Sequence, residues 1–128
     1  MNPAADNAAL NRLFASVWPR HEQRDFAQQL TWSLVYVCAY ADERLVGFVN
    51  VASDGGVHAF LLDPTVDPGF RRQGIGRELI RRAAEASRSR GAQWMHVDYE
   101  ADLEPFYTTA GFRPTAAGVM QLVTIAQD

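Results

Sequence analysis

The stretch Arg71-Arg72-Gln73-Gly74-Ile75-Gly76-Arg77 sets three arginines around two closely spaced glycines, directly ahead of an apolar stripe at helical spacing. Those residue types suit the holding of a phosphate-bearing ligand. The first N–H groups of a helix have no intrahelical partner and point outward, and the helix dipole favours negative charge there. Gly74 and Gly76 carry no Cβ to keep phosphate oxygens from the backbone, and arginine side chains match phosphate geometry. Spacing excludes two common nucleotide loops. A dinucleotide loop of the form G-x-G-x-x-G needs a third glycine where Leu79 stands. A triphosphate loop ends in Gly-Lys-Ser or Gly-Lys-Thr, and this chain has no lysine.

The elements on either side must present that loop. Downstream, Ile75, Leu79, Ile80, Ala83 and Ala86 share one side of a helix predicted over residues 74–90, with Glu78 and Arg82 four apart and Gly91 as its stop. Upstream, period-two alternation reads as strands over 34–40, 44–52 and 57–66, turning at 41–43 and 53–56. A first helix carries Leu10, Leu13, Phe14 and Val17, capped by Asn2 or Asp6 and stopped by Pro19, and a second is read over 21–31. After Gly91 come a strand over 93–100, a short helix over 102–112 closed by Gly111, and a last strand over 113–125. This order implies an α+β fold, a mixed and mostly antiparallel sheet flanked by helices on both faces.

Composition narrows the function classes. A chain of 128 residues with 48% apolar and 21% charged residues fits a single globular domain spanning 1–128. A net charge of −3 argues against nucleic acid as partner. Its twelve basic residues are all Arg, seven of them between Arg71 and Arg90, so a local basic patch sits on an acidic whole. No window is long and apolar enough for a membrane span, and no basic start precedes an apolar run, so the expected location is the cytoplasm, away from membranes. Cys38, the only cysteine, lies in an apolar alternation and reads as a small buried hydrophobe; no disulfide and no metal site are expected.

Arg71 to Gly76 fits the pattern R/Q-x-x-G-x-G/A, and Phe106-Tyr107-Thr108-Thr109-Ala110-Gly111-Phe112 fits F-Y-x-x-x-G-F. On these two motifs the chain resembles the GNAT superfamily of acetyl-CoA-dependent N-acetyltransferases. The likeness spans the chain and is strongest from Leu61 to Pro114. It implies that backbone N–H groups over Arg72, Gln73, Gly74, Ile75, Gly76 and Arg77 cradle the pyrophosphate of coenzyme A, with Arg71 opening the motif. It also implies a strand splayed near Val66, where the pantetheine arm pairs with exposed backbone; Pro64 and Pro68 bracket the point where regular pairing must stop.

The reaction the resemblance implies is direct attack by a neutral amine on the thioester, with no acyl-enzyme. Tyr107 matches the tyrosine that protonates the departing thiolate in many members, its alternative being a core aromatic beside Phe106 and Phe112. The carboxylate base that some members carry before the loop is replaced here by Phe60. His58, Glu100 and Asp98 remain to take the proton, directly or through water, and His96 reads as structural. An Asn found in many members is replaced by Ala101, leaving Asp102 or Glu104 to substitute for that cofactor contact. Trp18, His21, Trp32 and Tyr36 are candidate walls of the acceptor site by position. The competing reading is a catalytically weak or inactive CoA-binding sensor, a further one is transfer of a longer acyl group, and the last strand could pair with a second copy in a homodimer.

Overall fold

The computed structural model describes residues 6–123. They form two compact units, divided between Val97 and Asp98. In the first, α1 (Asn7–Val17) and α2 (Phe26–Leu30) precede three strands, β1 (Ser33–Ala41), β2 (Arg44–Ser53) and β3 (His58–Val66), followed by α3 (Ile75–Ser89) and β4 (Trp94–His96). The strands form one sheet in the order β1-β2-β3-β4, antiparallel except for the last pair. The second unit holds α4 (Glu104–Thr109).

Helices cover both faces of the sheet. Phe48 of β2 joins Leu10, Leu13, Phe14, Phe26 and Leu45 in a buried cluster under α1 and α2. Its neighbour Gly47 points the other way, toward Ile75 and Leu79 of α3. Leu45 and Phe48, three apart, share a face because pairing slips between Ala39↔Gly47 and Tyr40↔Leu45, leaving one extra residue on β2. Asp6 caps α1 by accepting from the Ala8 N–H at 2.9 Å, while Asn2 lies outside the described residues.

Three sequence expectations need correction. The second helix was read over 21–31 but covers only Phe26–Leu30. The backbone before it is claimed by asparagines of α1: Asn11 donates to the Arg24 carbonyl and accepts from its N–H, both at 2.9 Å, and Asn7 accepts from the Phe26 N–H at 2.8 Å. Side chains thus satisfy groups that a longer helix would have paired. The strand read over 93–100 is only Trp94–His96, so Asp98 and Glu100 stand in coil beyond it. The strand read over 113–125 is absent over 113–123, where Val119, Met120, Leu122 and Val123 are exposed; 124 and 125 lie outside the described residues. Trp18 and Trp32, whose alternative was a core role, are both exposed.

Asp67 fastens the end of β3. Its carboxylate accepts from the Gly69 N–H at 2.9 Å and from Arg44 Nη2 at 2.7 Å, and its own N–H donates to the Val46 carbonyl at 2.8 Å. The Gly69 bond and then Arg44 hold its carboxyl below the usual carboxylate range, against the opposing effect of burial. A lowered native pKa stabilises the fold at neutral pH, and this contribution fades as pH falls below about 4. Asp67→Asn is therefore expected to cost about 1–2 kcal/mol in urea unfolding at pH 7. Its difference from the native chain should shrink near pH 3, and a constant difference would refute the ionic origin.

Candidate active site

The loop before α3 has the backbone an anion cradle requires. Gly74 is the N-cap of α3 with φ +80°, and no side chain caps the helix. Arg72, two residues earlier, is also left-handed at φ +64°. Two left-handed residues this close turn successive N–H groups toward a common concavity, which the uncapped helix start extends. Arg71, Arg72 and Arg77 are exposed around it. Arg71 leans back so that its Nε donates to the Val66 carbonyl at 3.4 Å, which brings the loop and the end of β3 together.

Glu78, in the first turn of α3, would by itself repel an anion. Instead it accepts from Arg81 at 2.6 Å and Arg82 at 2.7 Å, and these arginines draw its pKa down to about 2. Beside the loop opens a recess of about 540 Å³, walled by β1 from Val37 to Tyr40, by Gln73 to Ile75, and by Glu78, Leu79 and Arg82. Such a volume can take part of a cofactor. Cys38 lies on that wall and is half-buried rather than buried. Burial pushes its thiol up to about 11, so at neutral pH it is a thiol, unsuited to act as an acyl-accepting nucleophile.

Beyond Phe60, β3 loses its β4 partner. Parallel pairing with β4 covers only His58↔Trp94, Ala59↔Met95 and Phe60↔His96. From Leu61 to Val66 the strand continues with no β4 partner among the described residues, while its other edge stays paired to β2 as far as Gly47↔Val66. Across this short pairing, His58 Nδ1 and His96 Nε2 share a hydrogen bond of 2.9 Å, and at its last pair Phe60 stacks on His96 at 5.0 Å. His96 is thus partnered to His58 rather than isolated. His58 itself stands at the start of β3, eight residues from Val66 and about 26 Å away along an extended strand.

Tyr107 and Glu100 belong to the second unit. Tyr107 is 5% exposed, stacked on Tyr99 at 4.7 Å and edge-on to Phe106 and Phe112. Gly111 at φ +113° ends α4, and the Phe112 N–H donates to the Tyr107 carbonyl at 3.0 Å. Burial, and then the charge of Asp98, raise the Tyr107 pKa. The phenol stays protonated at neutral pH, as a proton donor must be. Glu100 is exposed and precedes a 3₁₀ turn over Ala101–Leu103.

The family model described as the acetyltransferase (GNAT) family matches residues 7–112. The chain belongs to the GNAT acetyltransferase family. Among curated relatives of this GNAT chain, GCN5-related N-acetyltransferase 1, chloroplastic, of Arabidopsis thaliana is 30% identical over 122 residues, 93% of this chain and 62% of its own length. Glucosamine 6-phosphate N-acetyltransferase of Trypanosoma brucei brucei is 41% identical over 82 residues, 59% of this chain and 56% of its own length. The chain therefore spans only part of the length of the curated relatives it matches. A GNAT family acetyltransferase from Streptococcus pneumoniae shares the fold with a TM-score of 0.78 at 24% identity, covering 94% of this chain and 92% of that one. An aminoglycoside N-acetyltransferase solved with CoA gives a TM-score of 0.74 at 20% identity, covering 93% and 89%.

Within this GNAT fold, sequence reasoning missed Asp63 and the recess along β1. The signal for Asp63 was present in Asp63-Pro64, a pair that interrupts an otherwise regular strand. No signal in the linear sequence marks the recess, which forms only when α3 crosses β1.

Proposed function

We propose that this chain acts as one domain and transfers the acetyl group of acetyl-CoA to a primary amine, of a small molecule or a peptide. The observation that carries this reading is the uncapped, arginine-rimmed start of α3, joined through Arg71 to the end of β3 at Val66. Backbone N–H groups from Arg72 to Arg77, with Arg71 opening the motif, hold the pyrophosphate, and the backbone near Val66 pairs with the pantetheine arm. The amine nitrogen attacks the thioester carbon, the C–S bond breaks without an acyl-enzyme, and Tyr107 gives its proton to the thiolate. His58, with Nδ1 committed to His96, and the exposed Glu100 take the amine's proton through water. Among the described residues no group of three or more His, Cys, Asp or Glu side chains could hold a metal ion, and none is used here. No helix among them is long and apolar enough to cross a membrane. Cytoplasmic residence and a homodimer, with neither nucleic acid nor membrane as partner, belong to the same reading.

The test is calorimetric titration with CoA, followed by thiol release from acetyl-CoA over a panel of alkyl amines. Firm CoA binding without turnover would favour the sensor reading, which Phe60 and Ala101 support by standing where some members carry a carboxylate and many an amide. Turnover with longer acyl-CoA donors only would reassign the donor. Gly74→Ala gives a sharper check on the loop. A Cβ there meets nothing within 4 Å, so its penalty is conformational. CoA affinity is expected to fall about 5- to 10-fold in the same titration, equivalent to about 1 kcal/mol, and unchanged affinity would place the pyrophosphate elsewhere.

A further inference from the structure

Asp63 has three features that the reading above leaves unused. Its backbone is left-handed at φ +54°, a conformation that non-glycine residues adopt at a cost. The strain coincides with a β-bulge: β2 advances two residues from Phe48 to Asn50 while β3 covers three, from Thr65 to Leu62. Its side chain is 42% exposed, and the carboxylate accepts no hydrogen bond from another described residue, so water meets it on the open side. The cation nearby is Arg24 Nη1, at 3.9 Å, beyond hydrogen-bond range. Arg24 does not need Asp63, since its guanidinium lies over Phe14 at 5.3 Å and Phe26 at 5.0 Å and donates to Gln29 at 3.4 Å.

The buried side of the carboxylate raises its proton affinity, with Arg24 only partly opposing, and its exposed side leaves it open to a ligand. Position gives it a use. Asp63 lies three residues before Val66, about 10 Å along the strand, inside the Leu61–Val66 stretch with no β4 partner. A ligand following that edge from the loop must pass it. His58, five residues further along β3, is reached from there only through intervening water. The contact with Arg24 shows that the side chain faces the connection between α1 and α2, so an acceptor entering between that connection and β3 meets the carboxylate.

We propose that Asp63 is the residue that receives the acceptor's ammonium group and so selects alkyl amines that are cationic at neutral pH. An ammonium offers the three donors that the carboxylate lacks, and Arg24 discriminates against acceptors with a second cation close to the first. The role is binding and orientation of the amine; loss of its proton follows the path already described. This inference rests on the N-acetyltransferase reading.

The experiment compares n-butylamine, a cation at neutral pH, with aniline, which is neutral there, as acceptors for native chain, Asp63→Asn and Asp63→Glu. CoA titration of each variant serves as the check on folding. Asp63→Asn is expected to raise KM for n-butylamine at least tenfold with kcat changed less than threefold, and to leave KM for aniline unchanged. Asp63→Glu should recover most of the n-butylamine affinity. Unchanged KM in a CoA-binding Asp63→Asn chain overturns the inference and leaves the transferase reading standing, and so does a fall in kcat alone, which would make Asp63 a base. Failure of the native chain to bind CoA removes the reading itself. Should the native chain bind CoA but acetylate neither amine, NMR titration with n-butylammonium decides: a shift of the Asp63 carboxyl carbon supports the inference, and its absence overturns it.

Discussion

Replacing Tyr107 by Phe is expected to lower kcat for acetyl transfer about 100-fold or more, the usual range for loss of a general acid, with KM for acetyl-CoA nearly unchanged. The substitution removes one oxygen and keeps the ring, so stacking on Tyr99 and the edge contacts with Phe106 and Phe112 persist. The hydroxyl makes no hydrogen bond among the described residues, so its loss strips no structural partner. A purely structural tyrosine would therefore leave kcat unchanged at nearly the native melting temperature, and that result would remove Tyr107 from the mechanism. The pH profile is a second readout. Because burial and Asp98 raise the phenol's pKa, the native enzyme should keep its acid in the active form through neutral pH and lose kcat only on the alkaline side of the ordinary tyrosine range, about pH 10. In Tyr107→Phe that alkaline limb should disappear.

Legibility in the sequence followed how local each signal was. Gly74 and Gly91 bracket α3, Gly91 left-handed as the residue after a helix prefers and Gly74 left-handed at its start, where only glycine adopts that turn freely, so the loop and its helix could be placed within one residue. Asp42 and Gly55 likewise marked the two turns among the strands. The second helix was over-read because the competing partners of its first residues, Asn7 and Asn11, lie more than ten positions away. The last strand was over-read because alternation measures the fitness of a segment for a sheet and says nothing of whether a partner strand is at hand. Asp63 shares this cause, since its place depends on a contact to a distant loop, at Arg24. A motif marks the residues that bind the common donor, and packing decides which side chains face the acceptor.

Packing also ties the sheet to the loop, and Gly47→Val tests that tie. A Cβ added at Gly47 would stand 3.1 Å from Ile75 Cγ2 and 3.2 Å from both Ala39 Cβ and Leu79 Cδ1. These distances are tighter than ordinary packing, and the two further methyl groups of valine add to the crowding between α3 and β1. Gly47 sits on β2, paired on both sides, so the strand cannot retreat and α3 must lift. The expected cost is about 3 kcal/mol, the upper part of the range for overpacking a core, read as a fall of about 10 °C in melting temperature. Ile75 is the first residue of α3 and adjoins Gly74, so lifting the helix also disturbs the cradle, and CoA affinity should drop about tenfold or more. Gly47→Ala should show both effects in smaller measure. Gly55→Ala is the control: φ +84° imposes a conformational cost of about 1 kcal/mol, but its turn has nothing within 4 Å of the new Cβ, and CoA affinity should not change. If Gly47→Val loses stability yet binds CoA as the native chain does, the seating of α3 on β2 does not set the geometry of the loop.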